Sequence, residues 1–402
     1  MAFSDVPEPV QRFIEYLRIK TVQPTPDYAS CTAFLRRQAE EIGLEFSVTE
    51  CVADKPIVVL TLAGNSPSLP SIILNSHTDV VPVFRESWTH DPFGAERVAD
   101  GADHRIYARG AQDMKIVGMA YLEALRELKR SGVQLQRTVH AVFVPDEEIG
   151  GHEGMELFVQ SDAFARLNAG FALDEGMANP GESLRVFYGE RAPCWIKFVA
   201  RGNAGHGSQF IENTAAERLH RVVARMLEFR SEQLELLRRP LDDGSARTLG
   251  DVTSTNLTLL RAGVQHNVVP AEAMAGFDIR MTPNVDYAGF RSWLQQVADE
   301  EHVELQFVQF WADNTVTPRE GAFWAAFCAV LRQMDMQYCT EIFPAATDSR
   351  YLRRAGVPAL GVSPLCRLPI LLHDHDEYVR ESDFVHAVDF YTRLVSALAN
   401  TA

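Results

Sequence analysis

Apolar residues recur along the chain in two alternating rhythms. Near the start, Val10, Phe13, Ile14 and Leu17 fall on one face of a helix that follows a proline-rich turn. The spacing of Cys31, Phe34, Leu35 and Ile42 predicts a second amphipathic helix, beginning near Asp27 and ending at Gly43. The rhythm then changes. Leu44–Val48, Ile57–Leu62 and Ile72–Asn75 read as strands, the last two nearly all apolar, as expected of strands covered on both faces. A helix carrying Met119, Leu122, Leu125 and Leu128 follows, and then two more buried strands, Val139–Pro145 and Phe171–Leu173. Strands of this kind alternating with helices predict an α/β fold, a mostly parallel sheet flanked by helices.

From about Tyr188 to about Gln309 the pattern is different. It reads as strand Cys194–Ala200, helix Thr214–Phe229, strands Asn256–Leu260 and Met274–Arg280, helix Asp286–Val297 and strand Val303–Val308, interrupted by a loop with Pro240, Asp242, Asp243 and Gly244. This order predicts a small α+β domain, residues 189–309, inserted between the two parts of a larger domain, residues 1–188 and 310–402. The buried pattern resumes at Pro358–Val362. It ends in a helix with Phe384, Val385, Val388, Tyr391, Leu394, Val395 and Leu398.

Polar clusters stand where the buried strands stop. His77, with Asp79 two residues on, follows one strand; Glu147 and Glu148 follow a second; Asp174 and Glu175 follow a third. That is the side on which open α/β sheets bind ligands. On an extended backbone residues two apart point the same way, so Asp79 is expected to hold the second nitrogen of His77 while the first binds a metal. Asp113 precedes a helix, and His373-Asp374-His375-Asp376 closes the set.

Taken together, His77, Asp113, Glu148, Glu175 and His373 offer two imidazoles and three carboxylates, donors suited to zinc, with manganese or cobalt as alternatives. If one carboxylate bridges, each of two metals gains three protein ligands. One of Glu147 and Glu148 would then be free to take a proton from water and deliver it to a leaving nitrogen. Spacing does not choose between Glu175 and Asp174, or between His373 and His375. Each piece alone has a plainer reading: an N-cap for Asp113, an acidic turn for Glu147 and Glu148, a loop acid for Glu175. Only their joint appearance points to a site.

Composition narrows the setting. The 402 residues, 46% hydrophobic, suffice for two domains with substantial cores. A net charge of -16, from 54 acidic against 38 basic residues, opposes binding to nucleic acid or an anionic membrane, and part of it can neutralise bound cations. The start at Met1 to Pro7 lacks the pattern of a signal peptide, and no apolar run is long enough to cross a bilayer. The six cysteines (Cys31, Cys51, Cys194, Cys328, Cys339 and Cys366) are scattered and read as reduced packing residues, so a cytoplasmic location is expected.

Several segments carry a resemblance: His77-Thr78-Asp79-Val80-Val81-Pro82, the stretch Tyr107 to Lys115, Val144-Pro145-Asp146-Glu147-Glu148, Phe171 to Gly176, Pro344 to Asp348, and Leu371 to Glu377. The chain resembles the M20 family of metallopeptidases and amidohydrolases and, within it, the aminoacylases. The resemblance implies a zinc-peptidase-like catalytic domain with an inserted lid and dimerisation domain, and two Zn(2+) per subunit. His77 and Glu175 would hold one, Glu148 and His373 the other, with Asp113 bridging. Glu147 would be the general base and Asp79 the residue that orients His77. Gly202 to Ser208 resembles the family's lid loop, whose histidine, here His206, stabilises the oxyanion and in dimeric members reaches the partner subunit's site. Arg280 matches the position that grips the substrate carboxylate, a task suited to its planar fork. Asn267 and Arg350 are further substrate-binding candidates. The flanks of His206, at Ala204 and Gly207, and the loop from Arg238 to Asp251 match the family less closely.

The implied reaction is zinc-dependent hydrolysis of N-acyl-L-amino acids, such as N-acetyl-methionine, to a carboxylate and a free amino acid. The implied protein is a homodimer acting on a small molecule, without nucleic acid or membrane. The competing readings are an M20 carboxypeptidase or dipeptidase, a hydrolase of long-chain N-acyl amino acids, and a non-catalytic metal-dependent binding module. Glu147 speaks against the last, because a structural metal has no use for a free carboxylate beside its ligands.

Overall fold

A mixed sheet of eight strands runs through the larger part of the protein, which is described by a computed structural model over residues 6–242 and 244–401. The first five residues noted above, and Asp243 of the charged loop, lie outside the described residues. The sheet order is Glu45–Glu50, Pro56–Leu62, Val139–Val144, Ser71–His77, Ala169–Asp174, Ala359–Val362, Leu184–Glu190, Tyr338–Phe343. The strands from Val139–Val144 to Ala359–Val362 run parallel. Antiparallel ladders join Glu45–Glu50 to Pro56–Leu62, Pro56–Leu62 to Val139–Val144, and Leu184–Glu190 to Ala359–Val362. The expected parallel sheet is therefore confined to the centre. For the first of these ladders the reason is local: the turn at Cys51 to Lys55 is short and permits only a hairpin.

The sequence signals place the helices that cover this sheet. Helix Tyr28–Ile42 begins at Asp27, whose side chain accepts from the Ser30 N–H, and ends at Gly43, whose φ of 76° suits a residue without Cβ. Helix Lys115–Arg130 is buried from Lys115 through Leu125, so it belongs to the core more than to its surface. Helix Glu381–Ala399 packs Tyr391 edge-on against Tyr121 of that helix, with ring centres 4.6 Å apart. Val385 does not join this face: it is 52% exposed, since it lies about a quarter-turn from Phe384, while Phe384, Ala387 and Tyr391 point inward.

A second, three-stranded sheet was not apparent in the pattern. Tyr378–Arg380 pairs with Asp103–Tyr107, which pairs in turn with Glu96–Asp100. Tyr378 stands opposite Tyr107, so the segment just after His373 runs beside the segment just before Asp113.

The chain divides into two compact units, one formed by the chain through Tyr188, Thr317–Thr340 and the segment from Thr347 on, the other by Gly189–Val316 with Glu341–Ala346. Within the second unit an antiparallel sheet, ordered Ser254–Ala262, Glu272–Met281, Ala192–Arg201, Glu304–Phe310, alternates inward residues such as Cys194, Ile196, Phe198 and Ala200. Helices Ala215–Arg238 and Tyr287–Glu300 complete that core. The first of them starts at a capping box formed by Thr214 and Glu217. It runs past Phe229 because nothing before Pro240 breaks it. Among the described residues no helix is long and apolar enough to cross a membrane.

Candidate metal centre

His77 is the last residue of its strand and stands in register with Val144, while Leu74 of the same strand faces Leu173. The segments after the two neighbouring strands therefore emerge at one sheet edge. One forms the single turn Glu147–Ile149, reached through Asp146 in the left-handed region (φ 64°); the other delivers Glu175. Asp113 arrives from the loop before helix Lys115–Arg130, and His373 (φ 61°) from the loop before Tyr378–Arg380.

Asp113 lies between the two histidines. One of its oxygens is 3.0 Å from His77 Nε2 and the other 3.2 Å from His373 Nε2. On the His77 side Glu175 Oε2 is 3.8 Å from the ring; on the other side Glu148 Oε2 is 3.1 Å from His373 Nε2. Glu147 shares a cluster with His77 and Glu175. His375, the alternative to His373, instead sets its ring edge-on to Phe84 at 6.5 Å.

Concentrating these acids has an electrostatic cost. Burial, then repulsion from Glu175, raises the Glu147 carboxyl well above its ordinary range. Glu175 is raised by burial and by Asp113, and Glu148 is pushed up to about 7 by the same two causes. Asp113 moves the other way: burial opposes its charge, yet its hydrogen bonds to His373 and His77 hold it well below the usual carboxylate range. Burial likewise disfavours a charged His77, but Asp113 and Glu175 outweigh it, and hydrogen bonds to Asp113 and Glu148 raise His373 to about 10. A buried set this acidic gathers protons until a cation takes their place. Glu148 Oε1 is buried without a hydrogen-bond partner, a lone pair left for such a cation. The donors, two imidazoles and three carboxylates, suit a divalent metal.

The contacts behind these residues differ from the expectation in one respect. His77 Nδ1 is held by the backbone oxygen of Asp79, at 2.9 Å, and lies 3.7 Å from its carboxylate. That carboxylate is occupied elsewhere. It accepts from the N–H groups of Glu147 (3.1 Å) and Glu148 (3.2 Å) and from Gln23 Nε2 (2.9 Å), because the strand has ended at His77 and the alternation on which the expectation rested no longer applies. Asp79 thus grips the Glu147–Glu148 turn with its side chain and the histidine with its backbone. Gln23 also reaches Asp146, which Tyr28 and Lys55 engage as well.

Asp174 is spent in the same way. Its oxygens accept from Asn75 Nδ2 (3.0 Å), the Glu175 N–H (2.8 Å) and Ser349 Oγ (2.7 Å), so Glu175 is the acid that faces His77. Arg350 donates to Gly150 O at 2.7 Å, just beyond the Glu147–Ile149 turn. Gln23, Lys55 and Ser349 carried no recognisable signal in the sequence, since each acts across a long separation along the chain. Glu377 was visible as part of an acidic run without an evident task.

In the second unit Gly205–His206 pairs with Val268–Val269, and the Gly207 N–H donates to Asn267 O at 2.9 Å, so His206 and Asn267 are neighbours. His206 is exposed, its Nδ1 2.8 Å from Ser208 Oγ. Arg280 lies on strand Glu272–Met281, its Nε donating to Asp278 at 2.9 Å.

The chain is similar to known proteins over nearly its whole length. Residues 73–397 match the profile of Peptidase family M20/M25/M40. Aminoacylase-1 of Homo sapiens is 51% identical over 399 residues, which span 97% of this chain and 95% of that protein. Among solved structures, an M20 family metallo-carboxypeptidase from Sulfolobus solfataricus superposes with a TM-score of 0.75 at 17% identity, covering 98% of this chain and 100% of that one. A dinuclear metal-binding M20 peptidase from Bacillus subtilis gives 0.68 at 15% identity, with coverage of 96% and 98%.

Proposed function

The chain belongs to peptidase family M20/M25/M40 and is a metallo-hydrolase, and from that premise we propose that it hydrolyses N-acyl-L-amino acids to a carboxylate and a free L-amino acid. The observation that carries this reading is the convergence of His77, Asp113, Glu148, Glu175 and His373 at one sheet edge with Glu147 beside them, in a chain of which 97% matches an aminoacylase.

In this reading His77 and Glu175 hold one zinc ion, Glu148 and His373 the other, and Asp113 lies between. When bound, such a pair acidifies water and polarises an amide carbonyl. Glu147 takes the proton from the attacking water at its carboxylate as the new C–O bond forms. It returns that proton to the nitrogen as the C–N bond breaks, so the amine leaves neutral. Asp79 keeps the Glu147 backbone in place.

His206 is assigned the oxyanion. Arg280 is assigned the substrate carboxylate, which would share or replace its contact with Asp278. Asn267 and Arg350 line the substrate site in this reading, although the hydrogen bond from Arg350 to Gly150 favours support of the Glu147 turn. We further propose a homodimer formed through the inserted unit and a cytoplasmic location; the scattered spacing of the six cysteines, which forms no dense disulfide framework, supports the latter.

A substrate panel with elemental analysis tests the reading. The purified protein should contain two zinc ions and cleave N-acetyl-L-methionine in preference to dipeptides and N-lauroyl amino acids. Glu147→Gln should keep its metal while losing a factor of about 10² to 10⁴ in kcat. Cleavage of dipeptides with no action on N-acetyl-L-methionine would reassign the substrate, and full activity in Glu147→Gln would remove the general base.

A further inference from the structure

We infer that Glu377 is a positioning residue that fastens the Asp113 loop and the His373 loop into one rigid piece, so that the two ligands reach the metals together. The inference rests on the reading of Asp113 and His373 as ligands.

Glu377 is fully buried, and all its acceptor capacity is spent on one loop. Oε1 accepts from the N–H groups of Gln112 (2.5 Å) and Asp113 (3.2 Å); Oε2 accepts from the Gly110 N–H (3.0 Å) and Arg109 Nη1 (2.7 Å). Its backbone oxygen takes a further bond from the Ala108 N–H at 3.0 Å. An ionised carboxylate is the side chain with two oxygens and no proton, and so can face four donors at once.

The return ties run from the Asp113 loop to both flanks of His373. Arg109 Nη2 donates to Asp374 O at 3.1 Å, one residue beyond the histidine. The Gln112 side chain accepts from the Leu371 N–H at 3.0 Å and donates to Pro369 O (3.1 Å) and Tyr378 O (2.9 Å). The pairing of Tyr378 with Tyr107 closes the ring. His373 itself is exposed, and its ring has its polar contacts with Asp113 and Glu148. Its place therefore depends on the loop that carries it, and that loop is held through Glu377, Arg109 and Gln112. The acidic run at 374–377 gains a division of labour: Asp376 accepts from the Thr89 and His90 N–H groups on one side, and Glu377 organises the Asp113 loop on the other.

Glu377→Gln turns an NH₂ group against backbone donors and leaves Arg109 without its charge partner; Glu377→Asp keeps the charge but is one methylene too short to serve both sets of donors. In the full-length protein, both should weaken Zn²⁺ binding by roughly 10- to 100-fold in competition with a chelator. Both should alter the visible spectrum of the Co²⁺-loaded protein and lower kcat on N-acetyl-L-methionine while KM stays close to wild type. Excess Zn²⁺ should restore part of the lost activity. If folded Glu377→Gln and Glu377→Asp bind two Zn²⁺ with wild-type affinity and give the wild-type Co²⁺ spectrum, the inference is overturned, whatever happens to thermal stability. Should Glu377→Gln not accumulate as folded protein, Glu377→Asp and Gln112→Ala carry the same comparison. A His373→Ala control separates the two readings: if it keeps both metals, the ligand assignment fails, whereas loss of metal there with none in the Glu377 variants sinks the positioning role alone.

Discussion

His140 shows, at the scale of one residue, how burial fixes a protonation state. It stands opposite Thr61 across the antiparallel ladder, its Nδ1 2.8 Å from Thr61 Oγ1, on a strand that is buried throughout. Burial disfavours the imidazolium and lowers the pKa from 6.5 to about 4. The unfolded chain therefore binds a proton at a pH where the folded protein does not. The stability that follows is fully present above about pH 6.5 and is lost as the pH falls toward 4, by about 3 kcal/mol in total. Urea midpoints of wild type and His140→Asn, followed through that window, should show a steeper acid loss in the wild type; parallel curves would refute the assignment. Asp79 and Asp174 teach a related lesson. Both are buried acids next to proposed ligands, and both spend their oxygens on backbone and side-chain donors.

At the scale of elements, the apolar runs of the central strands were legible because a strand covered on both faces has little choice of residues. The polar residues that follow each run were legible for the same reason, as abrupt breaks in that pattern. The small sheet of Glu96–Asp100, Asp103–Tyr107 and Tyr378–Arg380 was not, because its strands are charged and short and its pairing joins distant parts of the chain. Glycine at 361, in strand Ala359–Val362, has a reason that only packing reveals. A Cβ there would lie 2.4 Å from Glu175 O and 3.3 Å from Phe187 Cβ, and the backbone oxygen cannot withdraw without moving Glu175. Gly361→Ala should therefore cost about 1–3 kcal/mol in urea unfolding and reduce bound metal by elemental analysis. A variant with unchanged stability and metal content would show that Glu175 has room to shift.

At the scale of the whole molecule, the proposed dimer needs a surface. Ser254–Ala262 is an edge strand of the second unit's sheet and exposes Leu259 and Leu260, the latter by 62%, with Val264 just beyond it. An apolar sheet edge of this kind is a ready site for pairing with another chain. Leu260→Glu should shift sedimentation from dimer to monomer at micromolar concentration. It should also lower turnover while metal content stays unchanged, because His206 of one copy is proposed to serve the other's site. A Leu260→Glu protein that remains dimeric, or a wild type that is fully active as a monomer, would count against this arrangement.

The chain by itself determined the alternation of buried strands and helices, the inserted region of different pattern, and the kinds of donor that stop each strand. These properties are local: periodicity and the break in it are written within a few residues, and the family resemblance is carried by short segments. Tertiary structure decided which oxygen faces which partner. Asp79 turned its carboxylate to Glu147 and Glu148, Asp174 turned away to Asn75 and Ser349, and Glu377 took hold of the Asp113 loop. Such choices depend on hydrogen bonds between residues far apart in the chain, and no window of sequence contains both partners.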